Sequence, residues 1–175
     1  MAVLIEAISV VIKRTAIDDR YSGGWDAFVK DAPNQTLCAD EHLARVGFMT
    51  PIDVESFIKR LELHGLVHLK DGIAQDIVVA DQQRGVTTRC DWSEFGDVEI
   101  DRNSVKACKA VVDASSQLIS PDGWVFEGSL SQTFMFTPTE HVDKSLTFLR
   151  HEDSLDVYLN ALTGEEVYLG RTGKT

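Results

Sequence analysis

The chain of 175 residues carries 28 acidic against 17 basic side chains, a formal net charge of −11, and 43% hydrophobic residues. That balance excludes a disordered chain, and its negative charge argues against nucleic-acid or anionic-membrane partners, whose phosphates it would repel. No window holds the ~18 consecutive apolar residues of a membrane helix. The three scattered cysteines, Cys38, Cys90 and Cys108, do not form the even, dense set of a disulfide framework. A cytoplasmic protein with reduced thiols is expected.

The first twelve residues are nearly all apolar and β-branched, interrupted by Glu6 and Ser9, and no basic leader or small-residue cleavage site accompanies them. They predict a strand covered on both faces rather than a signal peptide. Thr15 opens a short helical stretch broken at Gly23-Gly24, after which Trp25, Phe28 and Val29 form one helical stripe. Pro33-Asn34 closes it, and residues 36–48 read as strand material around the polar turn Asp40-Glu41-His42.

A strong helix start follows at Thr50. Its hydroxyl can cap the first-turn amides, Pro51 loses nothing at the first helical position, and Asp53 suits the positive end of the helix. Val54, Phe57, Ile58 and Leu61 define the buried stripe, and Gly65 can close the helix in the left-handed conformation. Val67-His68-Leu69 then faces residues 73–80 across Asp71-Gly72, a two-residue hairpin signal. Residues 92–136 read as β-rich, with turns at Ser115-Ser116 and Pro121-Asp122-Gly123; periodicity leaves 104–112 open between helix and strand.

The second half echoes the first. Gly47-Phe48-Met49-Thr50-Pro51-Ile52-Asp53 finds a counterpart in Phe134-Met135-Phe136-Thr137-Pro138-Thr139-Glu140. The spacing predicts a second helix from Thr137, with Val142, Leu146 and Leu149 as its stripe, followed by a hairpin of 157–159 and 167–169 around Thr163-Gly164. The expected fold is one α+β domain over 1–175: a mostly antiparallel sheet with two principal helices packed on it, in pseudo-repeated strand–helix–hairpin units at about 36–85 and 125–170.

No motif in the chain supplies a chemistry. The terminal Gly170-Arg171-Thr172-Gly173-Lys174-Thr175 lacks the upstream glycine of a phosphate loop, where Tyr168 stands. His64 and His68 are four apart, but Gly65 between them removes the shared helical face that a metal pair needs. Neither a cofactor nor a metal is expected. Polar residues leaving the buried strand at 77–80 make Asp81, Gln82, Arg84 and Cys90 the candidate small-ligand or enzyme site.

Asp97, Glu99 and Asp101 alternate with apolar residues, as in a strand with one acidic face, and Glu152, Asp153 and Asp156 form a second acidic group. The leading functional expectation is a non-catalytic module whose carboxylates dock a basic protein, in the manner of an inhibitor masking a cationic site. The small-ligand site and a structural homodimer paired through strand edges are the alternatives. The three tryptophans, Trp25, Trp92 and Trp124, each follow a turn-type residue and are expected to anchor the core beside it.

Overall fold

The apolar N-terminal run forms two strands rather than one, and they belong to different sheets. In the computed structural model, which describes residues 1–132, 146–152, 155–160 and 166–170, β1 (Ala2–Leu4) and β2 (Ile8–Lys13) are separated at Ile5-Glu6-Ala7. Ala7 takes φ 51°, a left-handed conformation unusual for a residue with a Cβ, and the chain passes there from one sheet to the other.

Two short helices follow, α1 (Arg14–Arg20) and α2 (Gly24–Lys30), joined through Gly23 at φ 87°. Phe28 of the expected stripe is buried, Trp25 is half-buried, and Val29 is exposed. The strands β3 (Cys38–Ala39) and β4 (Leu43–Phe48) lead into α3 (Pro51–Leu63). Thr50 stands at its N-cap in extended backbone, Val54, Phe57, Ile58 and Leu61 are its buried residues, and Gly65 sits beyond the end at φ 95°.

The Asp71-Gly72 turn joins β5 (Leu69–Lys70) to β6 (Ile73–Ala74), with both turn residues at positive φ. The single strand expected over 73–80 is interrupted at Gln75-Asp76, because Asp76 turns its carboxylate to the amide of Val67 (2.7 Å). Its continuation is β7 (Ile77–Asp81), followed by β8 (Gly85–Val86). The hairpin of β9 (Ser93–Ile100) and β10 (Asn103–Ala110) resolves the ambiguity over 104–112 in favour of strand, and β11 (Leu118–Ile119) comes next.

The C-terminal elements are β12 (Leu146–Glu152), β13 (Leu155–Asn160) and β14 (Glu166–Gly170), one antiparallel sheet in that order. Pairing of Tyr158 with Val167 realises the expected closing hairpin. Leu146 and Leu149, expected on a second helix, lie on a strand instead. Thr147 and Phe148 favour extended backbone, and Phe148 pairs directly with Tyr158, their rings edge-on at 5.6 Å. The expected helix start at Thr137, with Val142, falls outside the described residues. The helices among the described residues are therefore α1, α2 and α3, and the pseudo-repeat has no second helix at 146–149 to support it.

Three layers organise the first 119 residues. A five-stranded sheet, ordered β3-β4-β2-β7-β8, lies between the helices and a four-stranded sheet ordered β11-β1-β10-β9. Period-two alternation sorts its side chains. Ile8, Val10, Ile12, Ala44, Val46, Ile77 and Val79 pack against Ile17, Phe28, Phe57 and Leu61 of the helices. Val11, Leu43, Val78 and Ala80 point the other way, against Val3, Ile5, Cys108 and Ala110 of the four-stranded sheet. Nearly all pairings are antiparallel; β1 with β11 is the parallel exception among named strands. No helix among the described residues is long and apolar enough to cross a membrane.

Candidate functional site

The sheet-to-sheet face of β4 carries Leu43, Arg45 and Gly47 in alternation, so a guanidinium is built into a largely apolar interface. Arg45 is 3% exposed. Its Nε donates to Ser9 Oγ (2.8 Å), Nη1 to the Thr36 carbonyl (3.2 Å) and Nη2 to the Glu6 carbonyl (3.0 Å). No carboxylate lies within ion-pair range of it among the described residues. Burial draws its pKa down, opposed by the Cys38 thiol and by Glu6. A guanidinium offers five N–H groups, and these three bonds leave two without a partner among the described residues.

Gly47 makes room for this arrangement. A Cβ there would stand 2.5 Å from Nη2 of Arg45. The segment before β4 supplies partners for the glycine backbone: Thr36 Oγ1 accepts from the Gly47 amide (2.6 Å) and Asn34 Nδ2 donates to its carbonyl (2.8 Å).

Glu6, at the crossover between the sheets, is a second buried charge beside Arg45, while Asp40, Asp76 and Asp81 are buried elsewhere. Its Oε1 accepts from Trp124 Nε1 (3.2 Å), the Ser131 amide (2.9 Å) and Ser131 Oγ (2.6 Å). The carboxylate thus pins the segment 121–132 against the crossover. That segment begins with the expected turn, in which the Trp124 amide donates to the Pro121 carbonyl (3.0 Å).

Between these groups lies a cleft of about 480 Å³, lined by Arg45, Glu6 and Gly47, by the apolar Phe48, Met49, Trp124 and Leu130, and by Asp53 and Asp122. A second hollow of about 360 Å³ shares Asn34, Phe48 and Asp53 and reaches Arg60. Volumes of this size hold small organic molecules, and apolar walls with a few fixed polar groups are the usual composition of such sites.

The residues expected to bind a ligand do not converge. Asp81 Oδ1 accepts from the amides of Gln83 (2.8 Å) and Arg84 (3.0 Å), capping its own turn. Gln82 accepts from the Ala7 amide (2.8 Å) and donates to the Leu130 carbonyl (3.2 Å), which ties the crossover to the cleft wall. The Arg84 side chain is exposed, and Cys90 packs half-buried on the sheet–sheet core. Of the four, Gln82 alone braces residues that line the cleft.

On β9, Val98 stands opposite Val105 on one face and Asp97 opposite Lys106 on the other; that second face is not wholly acidic, because Asp97 and Glu99 share it with Phe95, which packs on the sheet–sheet core. Lys106 Nζ stands 2.7 Å from Asp97 and holds its carboxyl below the usual range; Lys109 stands 3.8 Å from Glu94. Glu99 and Asp101 are exposed, at and just beyond the end of the outermost strand of that sheet. Glu152 ends β12, where it pairs with Leu155, and Asp156 is half-buried on β13. Asp153 lies outside the described residues. No metal-ligating cluster occurs among the described residues.

Arg45, Glu6, Gly47 and Trp124 were not singled out from sequence as a site. A signal existed for two of them: Glu6 and Arg45 are the charged residues inside otherwise apolar strand-forming runs, and a buried charge needs a reason. Comparison of the chain with protein-family models, with curated proteins and with solved structures finds no match.

Proposed function

We propose that this protein binds a small organic molecule in the cleft bounded by the Glu6 crossover, β4 and the segment 121–130, with an anionic group of that molecule seated on Arg45. The observation that carries this reading is the guanidinium itself, buried yet lining an open cleft, with no carboxylate in ion-pair range and two N–H groups unspent among the described residues. Burying such a charge is costly, and charge-assisted bonds from a ligand oxygen would repay part of that cost. Phe48, Met49 and Trp124 supply the apolar contact that gives such ligands their affinity.

Thermal-shift and ligand-observed NMR measurements with a panel of organic carboxylates and phosphates test it. Binders should raise the midpoint of the native chain, lose that effect in Arg45→Met, and weaken in Trp124→Phe, which keeps the apolar wall. A panel without any Arg45-dependent binder overturns the reading.

A second reading keeps the acidic surface as a docking site for a basic protein. It is favoured by the position of β9 at a sheet edge, with Glu99 and Asp101 exposed beyond the Lys106 and Lys109 pairs. Glu152, Asp153 and Asp156 would add to it. Capture of a cationic partner at low salt, abolished at high salt and by Glu99→Lys with Asp101→Lys, is the expected result. Indifference to both changes removes this reading, and light scattering separates it from pairing of two copies along β9.

A further inference from the structure

We infer that the ligand of the cleft is a zwitterion, namely an α-amino acid with an apolar side chain, its carboxylate on Arg45 and its ammonium facing Glu6. The inference rests on the ligand-binding reading above and names the class of molecule. It comes from the way Arg45 and Glu6, the buried charges that line the cleft, are arranged. The Glu6 carbonyl accepts from Arg45 Nη2 (3.0 Å), so the guanidinium reaches the backbone of the very residue whose carboxylate also lines the cleft. Yet carboxylate and guanidinium do not meet as an ion pair. All three hydrogen bonds to the Glu6 carboxylate fall on Oε1, and Oε2 accepts none among the described residues.

The cleft therefore offers unspent donors and an unspent anionic acceptor, close together but not joined. A plain carboxylate on Arg45 would set a second negative charge beside Glu6, with Asp53 and Asp122 adding to the repulsion. A plain amine on Glu6 would face the guanidinium. A molecule carrying both charges on one carbon meets each with its complement. Its side chain then has Phe48, Met49, Trp124 and Leu130 to lie against, in a volume ample for an aromatic or long aliphatic group.

Calorimetry on the full chain separates the possibilities with three matched probes: phenylalanine, 3-phenylpropanoate, which lacks the ammonium, and 2-phenylethylamine, which lacks the carboxylate. Phenylalanine is expected to bind about tenfold or more tighter than either, the scale of one charge-assisted hydrogen bond. Glu6→Gln keeps an oxygen for Trp124 and Ser131 but removes the charge, and it should erase the preference for phenylalanine over 3-phenylpropanoate. Equal binding of the acid, or a preference that survives Glu6→Gln, overturns the inference. If these probes fail while other carboxylates bind through Arg45, the zwitterion is wrong and the ligand-binding reading stands; if nothing binds through Arg45, both fall.

Discussion

Arg45 and Gly47 stand two residues apart on one face of β4, and the guanidinium of the first fills the space that a side chain on the second would need. A Cβ at position 47 would come within 2.5 Å of Nη2 and 2.8 Å of Cζ. The far end of an arginine can swing aside cheaply, but here it would abandon Ser9 Oγ and the carbonyls of Thr36 and Glu6. Gly47→Ala is therefore expected to cost roughly 1–3 kcal/mol through stranded buried polar groups, and to abolish the ligand binding proposed for Arg45. A double-mutant cycle checks the cause. In an Arg45→Met background the same alanine should cost far less, since the group it displaces is already gone; additive losses in urea unfolding would refute the linkage.

The start of α3 permits a sharper test of local stability. Thr50 Oγ1 accepts from the Asp53 amide (3.2 Å) and donates to the Asp53 carboxylate (2.8 Å), so one hydroxyl closes the first turn from both sides. Thr50→Ala should lower unfolding free energy by about 1 kcal/mol, and Thr50→Ser should restore most of it, as measured by urea midpoints at constant m-value. A loss that serine does not restore would point to the methyl group rather than the cap.

This helix was readable in the sequence because every signal for it is local. Cap, proline, stripe and closing glycine lie within sixteen residues. The Asp71-Gly72 hairpin is legible for the same reason. Where two local periodicities compete, the reading fails: Leu146 and Leu149 fit a helix, but cross-strand pairing of Phe148 with Tyr158 decides for strand. The break at Glu6 is invisible for another reason. An apolar run interrupted only at Glu6 and Ser9 suits one buried strand or two, and only the pairing of β1 with β10 and of β2 with β4 and β7 distinguishes them. The cleft was the least legible feature, since residues 6, 45, 47, 124 and 131 meet only after that break has formed.

His68 gives the stability curve a predictable slope on the acid side. Burial pushes its pKa below the ordinary value, against the pull of Glu62, and its Nε2 is buried without a hydrogen bond among the described residues. The native state therefore holds the ring neutral, while the unfolded chain protonates it near pH 6.5. Stability is fully present above that value and falls as pH drops through it toward the lower native pKa. Chemical-denaturation midpoints measured from pH 7.5 to 5 should decline more steeply for the native chain than for His68→Leu. Parallel curves would mean that the imidazole is not the group responsible.

The thiols set the slope at the alkaline end, and they connect back to the arginine. Burial pushes Cys38 up to about 11 and Cys108 up to about 12, although the Arg45 charge pulls both down. In the unfolded chain both ionise near pH 8.5, so the native state holds more protons above that point. Stability is then present below pH 8.5 and is lost as pH rises toward the native values. Thiolate is the reactive form, and both groups are shielded, whereas Cys90 is half-buried. A thiol-labelling reagent at pH 8 should modify Cys90 first and reach Cys38 and Cys108 only as fast as the chain unfolds. Loss of the guanidinium in Arg45→Met should suppress thiolate formation at both sites further, leaving unfolding as their route to reaction. Rapid labelling of Cys38 in the folded variant would show that the sheet–sheet core does not close over it.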